Sequence, residues 1–250
     1  MRCKCGVGGV ALVVLFGGWS AVQAAVLQPA SIFFTVDGQR FDVSTTVAGR
    51  GAAVGDGGPL IFEDAEFRVS ITGFLDPDPS IAYGIAVTDF GAPSSFAFAF
   101  FTPIVPVGFP NTVLGSVSGG LTDFTGNGVS ITPLLADSDG DGVAELQVAT
   151  VQAPTTTMGV DVGLPFSSGP GTPGANYVYG AYAAGPMPGP GPGPWTGLSL
   201  TTSFLLSGDG DIAALTGFAS IEPEVVPEPM SLVLLGSGLL GIALRRRQRW

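Results

Sequence analysis

Residues 32–43 read Ile-Phe-Phe-Thr-Val-Asp-Gly-Gln-Arg-Phe-Asp-Val. Ile32, Phe34 and Val36 fall on one side of an extended chain, with Phe33 and Thr35 on the other. That is the period of a strand, not of a helix. Asp37-Gly38 supplies a two-residue hairpin turn before Phe41 and Val43 resume the run. The same alternation recurs outward from this stretch. Phe67, Val69 and Ile71 share a face opposite Arg68, Ser70 and Thr72. Phe96, Phe98 and Phe100 alternate with Ala97 and Ala99, which predicts a strand covered on both faces. Further strand-like runs lie near 81–90, 129–135, 144–151, 177–182 and 198–206, with Gly, Pro, Asn or Asp clusters between them. No long helical period appears outside the two ends of the chain. Roughly ten short strands in about 200 residues predict an all-β body over residues 25–223, a single β-sandwich or jelly-roll-like domain.

Composition agrees with that class. The 250 residues include 39 Gly and 21 Pro, with 46% hydrophobic and only 12% charged residues, a balance unlike that of disordered chains. Histidine is absent, the only lysine is Lys4, and the two cysteines are Cys3 and Cys5. Without His there is no Ser-His-Asp or Cys-His pair and no imidazole metal site. The body is therefore expected to be non-catalytic.

Both ends read as addresses. Arg2 and Lys4 precede an apolar stretch from Val7 to Phe16, and Val22-Gln23-Ala24 offers small residues for cleavage before Ala25. Residues 1–24 are thus expected to be a secretory signal peptide, handled by the secretion machinery and signal peptidase. The Gly6-x-Gly8-x-x-Ala11 spacing within it follows no strand and is read as chance. At the other end, residues 224–250 form a tail. Pro227-Glu228-Pro229 leads into Met230–Leu244, fifteen residues without a charge, and then Arg245-Arg246-Arg247-Gln248-Arg249. Fifteen helical residues span about 22 Å, short of a ~30 Å hydrocarbon core, and snorkelling arginines cover part of the difference. The predicted transmembrane helix, 230–244, leaves the Arg-rich end 245–250 cytoplasmic and the body outside.

The triplet Pro227-Glu228-Pro229, the run Leu234-Leu235-Gly236-Ser237-Gly238-Leu239-Leu240-Gly241 and the cluster Arg245, Arg246, Arg247 resemble a PEP-CTERM sorting signal. The resemblance covers about 25 residues at the C-terminus. It implies recognition by an exosortase, a membrane-embedded transpeptidase-like enzyme of Gram-negative bacteria that make exopolysaccharide. It further implies a transient inner-membrane anchor, cut near the triplet, and delivery to the cell surface or extracellular matrix. About the body it implies nothing.

Once both ends are gone, Arg40, Arg50 and Arg68 face the nineteen acids that precede the triplet, a formal charge of −16. Such a surface repels nucleic acid and anionic lipid and favours divalent cations. The strongest candidate for chemistry is Asp137-Ser138-Asp139-Gly140-Asp141-Gly142-Val143-Ala144-Glu145. Asp137, Asp139 and Asp141 would give side-chain oxygens to Ca²⁺, Val143 its carbonyl, and Glu145 would complete the shell. The twelfth position of this loop is Val148, not Glu, and its flanks read as strands, so it departs from an EF-hand. It looks more like the Asp-rich loops of extracellular β-hairpins. The alternative is an acidic solvated turn. Asp209-Gly210-Asp211 is too short for a site, and Glu63, Asp64 and Glu66 read as a solvated strand edge. Gly185 to Pro194, a Pro-Gly alternation ending at Trp195, reads as an exposed loop, and 221–225 as a linker.

The function expected is that of an exported, exosortase-sorted surface or matrix protein with a structural or adhesive body. One alternative is an exopolysaccharide-binding module using Trp195, Tyr177, Tyr179 and Tyr182, although alternating tyrosines on a strand also suit a core. A second is a carboxylate-dependent glycoside hydrolase, which would need paired acids.

Overall fold

The structure is a computed structural model that describes residues 29–48, 51–55, 58–104, 111–137, 142–152, 157–188 and 197–223. These form strands and connecting turns, with no helix among them. One sheet contains β1 (Ser31–Val36), β2 (Gln39–Val43), β8 (Ser94–Pro103), β10 (Ser130–Pro133), β11 (Gln147–Gln152), β12 (Thr157–Val162), β13 (Phe166–Ser167) and β15 (Gly197–Leu206). Its order is β12-β11-β15-β8-β1-β2, with β10 beside β15 and β13 beside β10. The other contains β3 (Thr45–Ala48), β4 (Gly51–Val54), β5 (Leu60–Glu63), β6 (Phe67–Asp76), β7 (Ser80–Asp89), β9 (Asn111–Asp123), β14 (Ala175–Pro188) and β16 (Asp211–Pro223). Its order is β14-β9-β16-β7-β6-β4-β3, with β5 beside β6. Every pairing is antiparallel. The expected all-β body is thus a sandwich of two antiparallel sheets.

The opening hairpin forms where its sequence places it. Val36 pairs with Gln39, and Asp37 and Gly38 take φ of 47° and 82°, the positive values a tight two-residue hairpin needs. Phe34, Phe96, Phe98, Phe100 and Phe204 are fully buried between the sheets. Phe34 stacks on Phe98 at 5.7 Å between ring centroids, and Phe100 stacks on Tyr83 of the facing sheet at 4.6 Å. Offset rings at these distances add to the area they bury. Facing them are Val69, Ile71, Ile81, Val87 and Leu121, all removed from water.

Three expectations need correction. The strand 94–103 is not covered on both faces: its phenylalanines are buried, whereas Ala97 and Ala99 are half-exposed on the outer face. With no helix among the described residues to cover that face, the small residues only resemble a continuous apolar run. Ile221–Pro223, expected in a linker, belongs to β16, and Ile221 is 5% exposed. Gly185–Pro188, expected in a loop, ends β14. The long strands β9 and β16, thirteen residues each, were also hidden in the sequence. Their glycines look like turn signals but serve close backbone approach. A Cβ on Gly119 would sit under 3.0 Å from the Ala214 carbonyl oxygen and from a methyl of Leu215.

No helix among the described residues is long and apolar enough to cross a membrane. The signal peptide (1–24) and the tail (224–250), with its predicted helix, lie outside the described residues.

Candidate functional site: the loop end and the sorting tail

The strands define two ends of the sandwich. At one end β1 turns into β2, β5 into β6, β7 into β8, β9 into β10, β13 into β14 and β15 into β16. Asp89 and Asp123 close β7 and β9 and Asp211 opens β16, each at the inward-facing position nearest this end, and all three are fully buried. Asp89 and Asp211 are direct register partners, and Asp123 follows on the next strand. Their carboxylates bind loop backbone. Asp123 accepts the N–H groups of Gly126 (2.6 Å) and Gly128 (2.9 Å). Asp211 accepts the Phe124 N–H at 3.1 Å and the Ser207 hydroxyl. Asp89 accepts the Ser94 N–H at 2.9 Å and its hydroxyl at 3.2 Å. Burial raises the pKa of Asp89 and Asp211 above the ordinary carboxylate value, and these hydrogen bonds work against that rise.

The loops also clasp one another. The Phe90 N–H donates to the Glu66 carbonyl, Asp209 N–H to Gly91, and Gly210 N–H to Asp89. Asn127 Nδ2 donates to Asp209 Oδ2 at 2.9 Å. On this frame Phe90 is 44% and Phe124 61% exposed. Sequence reasoning singled out Asp209, Asp211 and Glu66 only as a short acidic turn and a strand edge, and it missed Asp89, Asp123, Phe90, Phe124 and Asn127 altogether. The available signal was an Asp at the loop-side end of each of three inward-facing strand patterns, closing β7 and β9 and opening β16, next to a Gly-containing loop.

A second polar cluster is wholly internal. Tyr83 donates its hydroxyl to Gln147 Oε1 at 2.8 Å and lies in hydrogen-bond contact with Thr202 Oγ1. Gln147 Nε2 in turn donates to the Ser116 carbonyl at 2.9 Å. Burial pushes the Tyr83 phenol well above its ordinary pKa, so it stays a neutral donor. With Gln147 and Thr202 at 0% exposure, this is an inter-sheet pin that no substrate reaches.

The structure distributes the sequence-predicted residues as follows. The strands flanking the Asp-rich segment do not form a hairpin with each other. β10 and β11 both run along one edge of β15, in the same direction, and the segment connects them. Its neck is a single bridge between Leu135 and Glu145. Asp137 Oδ2 accepts the Gly142 N–H at 2.7 Å, and Gly142 takes φ 86°, which turns the loop back on itself. Glu145 is 6% exposed at the neck. Asp139 and Asp141 lie outside the described residues. Among the described residues no three His, Cys, Asp or Glu side chains gather as a metal site. Glu63 faces Arg68 at 3.5 Å, and Asp64 accepts the N–H groups of Glu66 and Phe67, so two of the three side chains of that acidic group have structural roles. Tyr179 is 2% exposed and donates to the Leu164 carbonyl, while Tyr177 and Tyr182 are half-buried. Trp195 lies outside the described residues.

The other end of the sandwich carries both chain exits. Ser31, which opens β1, pairs with Phe101 near the end of β8, and Pro223, which closes β16, pairs with Asn111 at the start of β9. Two residues past Pro223 the tail takes over. Residues 225–247 match the PEP-CTERM protein-sorting motif. No curated protein matches the chain. The PEP-CTERM motif includes Pro227, Glu228, Pro229, Arg245, Arg246 and Arg247, the residues from which the resemblance was read, and it marks the C-terminus as the sorting and membrane-anchor region of an exported protein. Exosortase processing follows from the PEP-CTERM motif as well. All six of these residues lie outside the described part of the structure.

Proposed function

We propose that this chain is an exported, exosortase-sorted component of the cell surface or extracellular matrix, whose β-sandwich body is structural or adhesive and not catalytic. The observation that carries the reading is the PEP-CTERM motif at 225–247, attached almost directly to β16, an interior strand of its sheet. The tail therefore pulls on the centre of the fold and not on a loosely held edge. Chemistry supports the non-catalytic part. The body has no His, Lys or Cys, and at the loop end the carboxylates Asp64, Asp89, Asp123 and Asp211 are occupied by backbone N–H groups.

Replacing Pro227, Glu228 and Pro229 together by alanine is expected to trap the uncut chain in the inner-membrane fraction and remove it from the surface. Fractionation of cells, followed by mass analysis of both chain ends, reads this. Wild-type protein recovered from the cytosol with Met1 and Trp250 intact would sink the reading.

We further propose that the Asp-rich segment binds Ca²⁺. Asp137 at its mouth and Glu145 at its neck are held where the chain leaves and rejoins β15, and Asp139 and Asp141 lie between them in sequence. Calorimetric titration of the full chain should give a dissociation constant of about 0.1–1 mM, the range of extracellular sites. Asp139→Ala should abolish the signal. An unchanged heat in that variant ends the proposal.

A further inference from the structure

The path of the chain orients the molecule. Both exits, before Ser31 and after Pro223, lie at one end, and the loops tied by Asp89, Asp123 and Asp211 lie at the other. β16 runs from Asp211 at the loop end to Pro223. Its thirteen residues span about 40 Å. A body anchored through the residues after Pro223 therefore presents the loop end outward, away from the membrane.

The chemistry of that end is specific. Phe90 and Phe124 follow Asp89 and Asp123 on β7 and β9, which flank β16 on either side. The two phenylalanines thus leave the sheet about 10 Å apart, two strand spacings. Between them stands the turn Gly208-Asp209-Gly210, with φ of 81°, 57° and 88°. A Cβ on Gly210 would meet the Phe124 ring at 2.7 Å, so the ring rests directly on bare backbone. Beside it Asn127 and Asp209 form an exposed amide–carboxylate pair at 2.9 Å. The described cations of the body, Arg40 and Arg68, each face a carboxylate, Asp42 at 2.8 Å and Glu63 at 3.5 Å.

We propose that this outward end, with Phe90 and Phe124 on either side of the Asp209 turn, takes hold of a neutral, β-linked hexose chain. The C–H faces of such a chain are flat and apolar and pack on exposed aromatic rings. Its hydroxyls both donate and accept, as an amide–carboxylate pair requires. Both rings are carried on backbone held by hydrogen bonds from the Phe90 and Phe124 N–H groups, so little main-chain freedom is lost on binding. An acidic surface whose described cations are each paired with a carboxylate turns away uronate-rich chains and nucleic acid alike. The inference deepens the adhesive reading and rests on the body being displayed outside the cell.

The test is calorimetric titration of the full chain in detergent with cellohexaose, and with polygalacturonate as the anionic comparison. Saturable heat is expected with cellohexaose alone. Phe124→Ala and Phe90→Ala should each weaken it about tenfold or more, a loss of one anchoring contact. Phe124→Tyr keeps the ring and should stay within about threefold of wild type. Val178→Ala, at a residue 81% exposed on the edge strand β14, should change nothing. Affinity unaffected by both phenylalanine substitutions, heat with polygalacturonate only, or no heat with either glycan would overturn the proposal. The titration does not depend on export, so its failure leaves the sorting reading intact. Failure of the triplet variant to be retained would strike that reading alone.

Discussion

Gly217→Ala is expected to destabilise the fold by about 3 kcal/mol, lowering the melting temperature by about 6–12 °C in a domain of this size. Gly217 sits mid-strand in β16 with its Cα facing the internal pin. A methyl group there would lie well under 3.0 Å from Gln147 Oε1 and from the Tyr83 ring. Neither partner can retreat. Tyr83 is stacked on Phe100 with ring planes 7° apart, and Gln147 is held between Tyr83 and the Ser116 carbonyl. Making room would pull the tyrosine hydroxyl off Gln147 or Thr202 and leave a buried polar atom unmatched, at about 1–3 kcal/mol. Differential scanning calorimetry reads the outcome. A melting temperature within about 2 °C of wild type would show that the pin is looser than its geometry.

Phe98→Ala should cost about 3–5 kcal/mol, whereas Phe33→Ala should cost less than about 1 kcal/mol, although both are phenylalanines in neighbouring strands of one sheet. Phe98 is fully buried and packs against Phe34 and Phe204, so truncation leaves a cavity that rigid rings cannot close. Phe33 points outward, half-exposed, under the Arg40 guanidinium at 3.9 Å. Losing that exposed cation–π contact is worth about 0.5–1 kcal/mol. Urea titration of the two variants, with the m value unchanged, would show the difference as separate midpoints. Equal midpoints would mean that the inward and outward faces of this sheet have been misassigned.

Much of this molecule was legible before its coordinates. Alternation over Ile32–Val36 and Phe96–Phe100 marked both stretches as strands and put Phe34 with Ile32 and Val36 on one side, because a strand's period of two is a local property, although it did not show that the Ala97 and Ala99 face lies open. Asp37-Gly38 marked its turn for the same reason: only a few residue types tolerate positive φ at both positions. The PEP-CTERM motif was equally readable, since its triplet, apolar run and arginines follow one another directly along the sequence.

Other features needed the fold. Gly115, Gly119 and Gly217 suggest turns when read along the chain and become strand interiors only when a neighbouring backbone or a side chain from the facing sheet presses against them. Asp89, Asp123 and Asp211 are 122 residues apart from first to last in the chain, and no local pattern announces that they form one row across three strands. The same holds for Phe90 and Phe124, which are ordinary loop residues until β16 is placed between their strands. Local sterics and hydrophobic period write strands and turns into the sequence directly. Which strands become neighbours depends on how two sheets bury their faces together, and that is a property of the whole chain.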